Sequence, residues 1–144
     1  MSLYNWHLFT SLVCVSCTLK YEYVHVILWA DAAAYRYGEL LTSYAAKLVK
    51  KQLQHHMLTD ELLPVGTSQD FQVQSHEGLL TVSASACECL FRKATGLPCR
   101  HMFAARHILG LDLYDEGLCL QRWLLQICSA TQRLVSAPSS SSIQ

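Results

Sequence analysis

Cys87-Glu88-Cys89 and Cys99-Arg100-His101 are two ligand-type pairs in one short stretch, nine residues apart, and Leu97-Pro98 immediately precedes the second. Three thiols and one imidazole are the donor set of a tetrahedral Zn2+ in a closed structural site, with three sulfurs, one nitrogen and no open position for water. The expected cofactor is one structural Zn2+ ion, with Cys87, Cys89, Cys99 and His101 as its ligands.

The spacing says which elements must carry them. Residues two apart on a strand point to the same side, so Cys87 and Cys89 can bracket one ion with their Cα atoms roughly 6.5 to 7 Å apart. Residues two apart on a helix diverge by about 200°, so Cys99 belongs just before a helix and His101 in its first turn. Pro98 discourages an earlier helix start and pushes Leu97 toward an extended conformation. The helix N-terminus favours nearby thiolates, and Arg92, Lys93 and Arg100 lie close in sequence to offset the one negative charge of a three-thiolate zinc shell.

Core cysteines beside a surface histidine are the plainer alternative. Four ligand types within fifteen positions, paired twice at the same spacing around a Gly-x-Pro break, favour the metal. His107, about one and a half turns beyond His101, competes as the imidazole, and Cys119 is a more remote competitor. A zinc deaminase would require His-x-Glu and Pro-Cys-x-x-Cys. Here His76 and Glu77 are adjacent and Pro98-Cys99 is followed by Arg-His. No Ser/His/Asp grouping, phosphate-cradling Gly loop or paired-carboxylate site stands out, so an enzyme is not expected.

Around the ligands, Phe71, Val73 and Ser75 alternate with polar residues, Glu77-Gly78 supplies a turn, and Leu80, Val82, Ala84 and Ala86 alternate again, which predicts a hairpin leading straight into Cys87. Arg100 to Leu109 reads as a short helix stopped by Gly110. Upstream, Leu41, Tyr44, Ala45, Leu48 and Val49 form a helical stripe from Thr42 to about Met57, with Thr42 or Ser43 as N-cap and Lys47 and Lys50 off the stripe. Lys47, Lys50 and Lys51, extended by His55 and His56, form a basic patch suited to phosphate or an acidic partner, for which a solvated helix face is the plainer reading. Downstream, a second helix is expected over Leu118 to Leu134, with Leu120, Trp123, Leu124, Ile127 and Cys128 as its apolar side. Residues 1–37 are rich in aromatic and β-branched types and read as extended, with Cys14 and Cys17 as buried inert thiols.

The expected fold class is α+β, a small zinc-stapled ββα module flanked by helical segments. Its expected divisions are an apolar segment over 1–37, a helical segment over 38–63, the zinc module over 68–110, a C-terminal helix over 111–135 and a flexible Ser-rich tail over 136–144.

Composition narrows the partners. The hydrophobic fraction is 51% and the charged fraction only 15%, so apolar faces are expected to need cover from elsewhere. A formal net charge of zero removes the strongest argument for non-specific nucleic-acid binding and leaves only local patches. Seven cysteines, an odd number without regular spacing, suit a reducing compartment better than a secreted disulfide framework. The apolar run Leu8 to Leu19 lacks the basic residues of a signal peptide, and no run is long enough for a membrane span. Nucleus or cytosol is the expectation, with no secretion.

Taken together, Cys87-Glu88-Cys89-Leu90-Phe91 and Leu97-Pro98-Cys99-Arg100-His101 resemble the SWIM-type zinc finger. The Leu-Pro-Cys-Arg-His wording, Phe103-Ala104 after it and Arg122-Trp123 further on resemble the SWIM proteins related to Mutator-like transposases. The resemblance covers roughly residues 70–125 and implies a ββα zinc fold, a role in binding DNA or proteins, and often a nuclear setting. The acidic catalytic residues of transposase relatives belong to a ribonuclease-H-like domain upstream, for which this chain has no room, so transposase activity is not implied. For DNA speak Arg92, Lys93, Arg100 and Arg106 around the finger; for a partner protein speak the zero net charge and apolar flanks. A purely structural finger is the third possibility, and no small-molecule substrate or membrane is expected.

Overall fold

A computed structural model describes residues 24–25, 27–55 and 62–136 of the chain. Cys14, Cys17 and the serine run after Pro138 lie outside the described residues.

The first described element, α1, is helical over 27–40. This corrects the extended reading of 1–37 over the described part of that segment. Ala30, Ala32, Ala33 and Ala34 are the strongest helix formers. Ala33, Tyr37 and Leu41 recur at a spacing of four and are buried, at 3%, 0% and 1% exposure. A stripe of that period outweighs the strand preference of Trp29, Tyr35 and Tyr37.

Leu41 leaves the helix to form an isolated antiparallel bridge with Leu124, and the Thr42 N–H donates to the Trp123 carbonyl at 2.9 Å. Helix α2, Ser43–His55, follows and buries Ala45, Val49 and Leu53. The expected side-chain cap is not made. The Thr42 carbonyl accepts the Ala46 N–H at 2.9 Å, but its hydroxyl is buried without a partner. Tyr44, placed in the apolar stripe by its spacing, is 64% exposed with its ring against Trp123.

The sheet is antiparallel in the order β1-β2-β3, formed by Leu63–Pro64, Phe71–Ser75 and Gly78–Val82. Phe71 pairs with Val82 and Val73 with Leu80, which puts all four buried side chains on one face. Gly78 follows the two-residue turn with φ +105°, a region open to glycine. Leu63-Pro64, read from sequence as a break, adds a short edge strand, where a proline without an N–H is tolerated. Strand β3 is shorter than its alternation suggests. Ser83 to Ala86 reverse the chain, with Ser83 N–H to the Ala86 carbonyl at 2.8 Å, so Ala84 and Ala86 belong to a turn. Cys87 then pairs back with Val82.

Two helices flank the second ligand pair. Leu90–Thr95 forms α3, an element the sequence reading missed, and Arg100–Ile108 forms α4. All six residues from His101 to Arg106 are buried, because α4 is packed on more than one side. Met102 and Ala105 join the sheet and the cysteines in one cluster, and Phe103 joins α1, α2, Leu97 and Leu113 in the other. Gly110, φ +68°, stops the helix as expected.

The single helix expected over 118–134 is replaced by two 3-10 turns, Glu116–Leu118 and Gln121–Trp123, and then α5, Leu125–Ser136. Leu120 and Leu124 are extended, at ψ 139° and 130°. Bonds from Trp123 and Leu124 to residues 41–42 hold them so, which local helix propensity could not anticipate. The described residues are thus a mixed α+β fold with a small three-stranded sheet.

Candidate metal centre

Each ligand candidate is placed by a local chain feature. The Ser83–Ala86 reversal brings Cys87 back beside the end of β3. Cys89 is the N-cap of α3, extended at φ −67°, ψ 154°, and its sulfur accepts the Arg92 N–H at 3.5 Å. Cys99 is the N-cap of α4, at φ −98°, ψ 166°, and His101 sits in the first turn, the placement that the two-residue spacing requires. All four are buried, at 8%, 2%, 0% and 4% exposure in sequence order.

One donor atom from each residue lies within 4.8 Å of every other. His101 Nδ1 is 3.7 Å from Cys87 Sγ and 3.9 Å from Cys99 Sγ. Edges of roughly 3.6 to 3.8 Å are what a tetrahedron of Zn–S and Zn–N bonds requires, close to the two His101 separations, and the others would have to contract by up to about 1 Å around an ion. The three cysteines are free thiols. The cluster is compatible with one metal ion such as zinc.

Its electrostatics suit a cation. Hydrogen bonds from the Cys87 and Cys99 thiols hold the Cys89 thiol well below its usual range, with the Arg92 N–H adding to them. Cys87, the donor to Cys89, is pushed up to about 11, and Cys99 is driven up by its bonds to both other thiols and by burial. A bound cation would replace the thiol protons.

The supporting contacts were invisible in the ligand motif. Glu77, at the tip of the hairpin, accepts the Leu90 N–H through Oε2 at 2.9 Å and so anchors the start of α3. Gln52 of α2 accepts the Arg100 N–H through Oε1 at 3.1 Å and anchors the start of α4. The far end of α3 is gathered by cationic and aromatic donors, as suits free helix carbonyls. Arg92 Nη1 donates to the Gly96 carbonyl at 2.8 Å and to the Leu118 carbonyl. Arg122 Nη2 donates to the Ala94 and Thr95 carbonyls at 3.3 and 3.1 Å, and Trp123 Nε1 to Thr95 at 2.7 Å.

The basic residues near the cluster divide into two kinds. Arg106 is buried; its Nε donates to the Asp112 carbonyl at 2.6 Å, and its Nη1 to the Ala84 carbonyl at 3.2 Å with Asp115 Oδ2 at 3.4 Å. Arg92 is half-buried with its guanidinium on carbonyl oxygens, Lys93 is exposed, and Arg100 is half-buried. Of the rival ligands, His107 packs edge-on to Trp29 with ring centroids 6.4 Å apart, outside the metal group. Cys119 is also outside it, and burial pushes its thiol up to about 12.

No protein-family model, curated protein or solved structure matches this chain. Among the described residues, no helix is long and apolar enough to cross a membrane.

Proposed function

We propose that this chain is a non-enzymatic zinc-binding interaction module of the SWIM type, related to those of Mutator-like transposases, acting in the nucleus on DNA or a partner protein. The observation that carries the zinc is the convergence of the donors of Cys87, Cys89, Cys99 and His101, all buried, within 4.8 Å of one another. The SWIM reading is supported by the Cys-x-Cys and Cys-x-His spacing falling at the end of a hairpin and the start of a helix. Four protein ligands would fill the tetrahedron, leaving no position for substrate or a reactive water, which argues against catalysis at this centre. The ion would serve folding, tying the chain after the sheet to the start of α4. Native mass spectrometry of the reduced protein should give one zinc per chain, and Cys99→Ala should lose it. A stoichiometry near zero in a chain that keeps its helicity overturns the proposal.

The partner divides into narrower readings: a sequence-nonspecific DNA-binding remnant of a transposase-derived protein, a protein-binding module, or a zinc module that only holds the fold. The engagement of Arg92 and Arg106 with internal carbonyls leaves Lys93 and Arg100 as the finger's outward cations.

A further inference from the structure

In a chain of zero net charge, the positive charges are sorted by role. Arg36 pairs with Asp112 at 2.8 Å, Arg106 with Asp115, and Arg92 and Arg122 bind carbonyl oxygens around α3. Arg92, Arg106 and Arg122 tie elements of the fold together, and Arg36 is paired at the surface. Lys47, Lys50 and Lys51 do neither; each is exposed on α2, and no ion pair among the described residues includes them.

Their arrangement is deliberate in its geometry. Ala45, Val49 and Leu53 mark the buried side of α2, and at 100° per residue the three lysines fall on the opposite side. An ordinary solvated helix interleaves such lysines with Glu or Asp at spacings of three and four, which stabilises it. Helix α2 contains no acidic residue anywhere in Ser43–His55. Lys47 therefore has like charges at both i+3 and i+4, a mildly unfavourable arrangement that a bound anion would relieve. The same helix touches the metal-bearing element, since Gln52 holds the Arg100 N–H.

We infer that the outer face of α2 is a docking surface for the phosphate backbone of duplex DNA, contacted by Lys47, Lys50 and Lys51. Charge complementarity selects the occupant: a row of cations about 6 Å long meets a regular polyanion with one phosphate per 3.4 Å of axis on each strand. Lysines without companion hydrogen-bonding acceptors read phosphate as point charges, so binding is independent of base sequence. The inference places the contact on α2 rather than on the finger and does not depend on the metal for its chemistry.

The test is fluorescence anisotropy of the full chain with a short random-sequence DNA duplex across a salt series. Three neutralised phosphates give a slope of log K against log salt of about −2.7, roughly a forty-fold loss of affinity between about 50 and 200 mM. Lys47→Gln, Lys50→Gln and Lys51→Gln together should bring the slope close to zero, while Arg133→Gln, an exposed cation on α5, should leave it unchanged. If the triple variant loses helicity by circular dichroism, each single variant should instead lower the slope by about 0.9. Absence of salt-dependent duplex binding, or a slope that survives in all the lysine variants, overturns the inference. So does tighter binding at equal salt to poly-glutamate or to anionic lipid vesicles, which would assign the face to an acidic protein or a membrane surface. Zinc content of the same samples, read separately, distinguishes a failed docking surface from a failed metal site.

Discussion

Leu120 occupies the space that a side chain on Gly96 would need: a Cβ there would fall 2.1 Å from Leu120 Cδ1 and 2.4 Å from Cγ. Gly96 ends α3 in the left-handed region, φ 68°, and its carbonyl accepts the Leu120 N–H at 3.1 Å, so the two residues are fastened through backbone as well as packed. Gly96→Ala meets a conformational penalty of about 1–2 kcal/mol and must also displace Leu120. We expect a loss of about 2–3 kcal/mol in thermal melts. In a Leu120→Ala background the same substitution should cost only about 1–2 kcal/mol, the conformational part alone. Equal losses in the two backgrounds would show that the close approach carries no energy.

Tyr37 ties α1 to the segment after α4. Its buried hydroxyl accepts the Asp115 N–H at 3.0 Å and shares its one proton between the Leu113 and Asp115 carbonyls, 3.2 and 3.3 Å away. Tyr37→Phe leaves these backbone groups without their partner and should cost about 1–3 kcal/mol at neutral pH. Burial raises the Tyr37 phenol above its ordinary range and pushes the Cys119 thiol up to about 12. For both groups the folded state favours the protonated form. Their contribution is therefore complete below the unfolded pKa values, roughly 8.5 for Cys and 10 for Tyr, and is lost as pH rises beyond them. Melting temperature should fall from about pH 9 upward, less steeply in Tyr37→Phe and less steeply still with Cys119→Ala added. An identical alkaline fall in all three proteins would place its cause elsewhere.

What could be read in advance follows the range over which each signal acts. The hairpin and the start and stop of α4 rest on alternation, Pro98 and Gly110, all local features, and each is found, although the second strand ends at Val82 and the Ser83–Ala86 turn replaces the rest of its alternation. Helix α1 was legible but misread: the alanines at 30 and 32–34 and the buried spacing of Ala33, Tyr37 and Leu41 were present beneath the aromatic content. Helix α3 carried no usual sign, because its N-cap is a cysteine sulfur and its first N–H is met by Glu77 from another element. The strap over residues 118–124 depends on contacts with Leu41, Thr42 and Thr95, far away in the chain, so its helical periodicity misled. In the candidate metal centre the four donors were visible from residue type and spacing, whereas the inward duty of Arg92 and Arg106 was not.

Arg106 is expected to act on stability. Its guanidinium joins α4 to the Ala84 turn, the Asp112 carbonyl and the Asp115 carboxylate at only 8% exposure. A lysine offers one ammonium in place of this planar fork and cannot reach three acceptors in different directions. Arg106→Lys should destabilise by about 2–4 kcal/mol in urea unfolding, because buried acceptors lose a charged partner. At temperatures where the variant remains folded, the salt dependence of any duplex binding should match the parent protein. A stable variant with weakened duplex affinity would instead give Arg106 an outward role.

Metal removal should unfold both halves of the core together. The four donors join the Cys87 segment to the start of α4, and α4 is the wall shared by the sheet cluster and the cluster around Phe103. Structural zinc in small finger peptides supplies an apparent ~10–16 kcal/mol at neutral pH, comparable to the whole stability of a domain this size. Chelation should therefore abolish helical circular dichroism and shift the fluorescence of Trp29 and Trp123 in a single transition. Cys99→Ala should behave as the chelated protein does, since it removes a fully buried ligand. Cys128→Ala is the matched control: that thiol is half-buried on α5, donates at 3.3 Å to the Arg122 carbonyl and stands outside the donor group, so metal content and helicity should be unchanged. A chelated protein that still melts cooperatively with full helicity would mean that the two hydrophobic clusters suffice, and that the four donors are packing groups rather than a site on which folding depends.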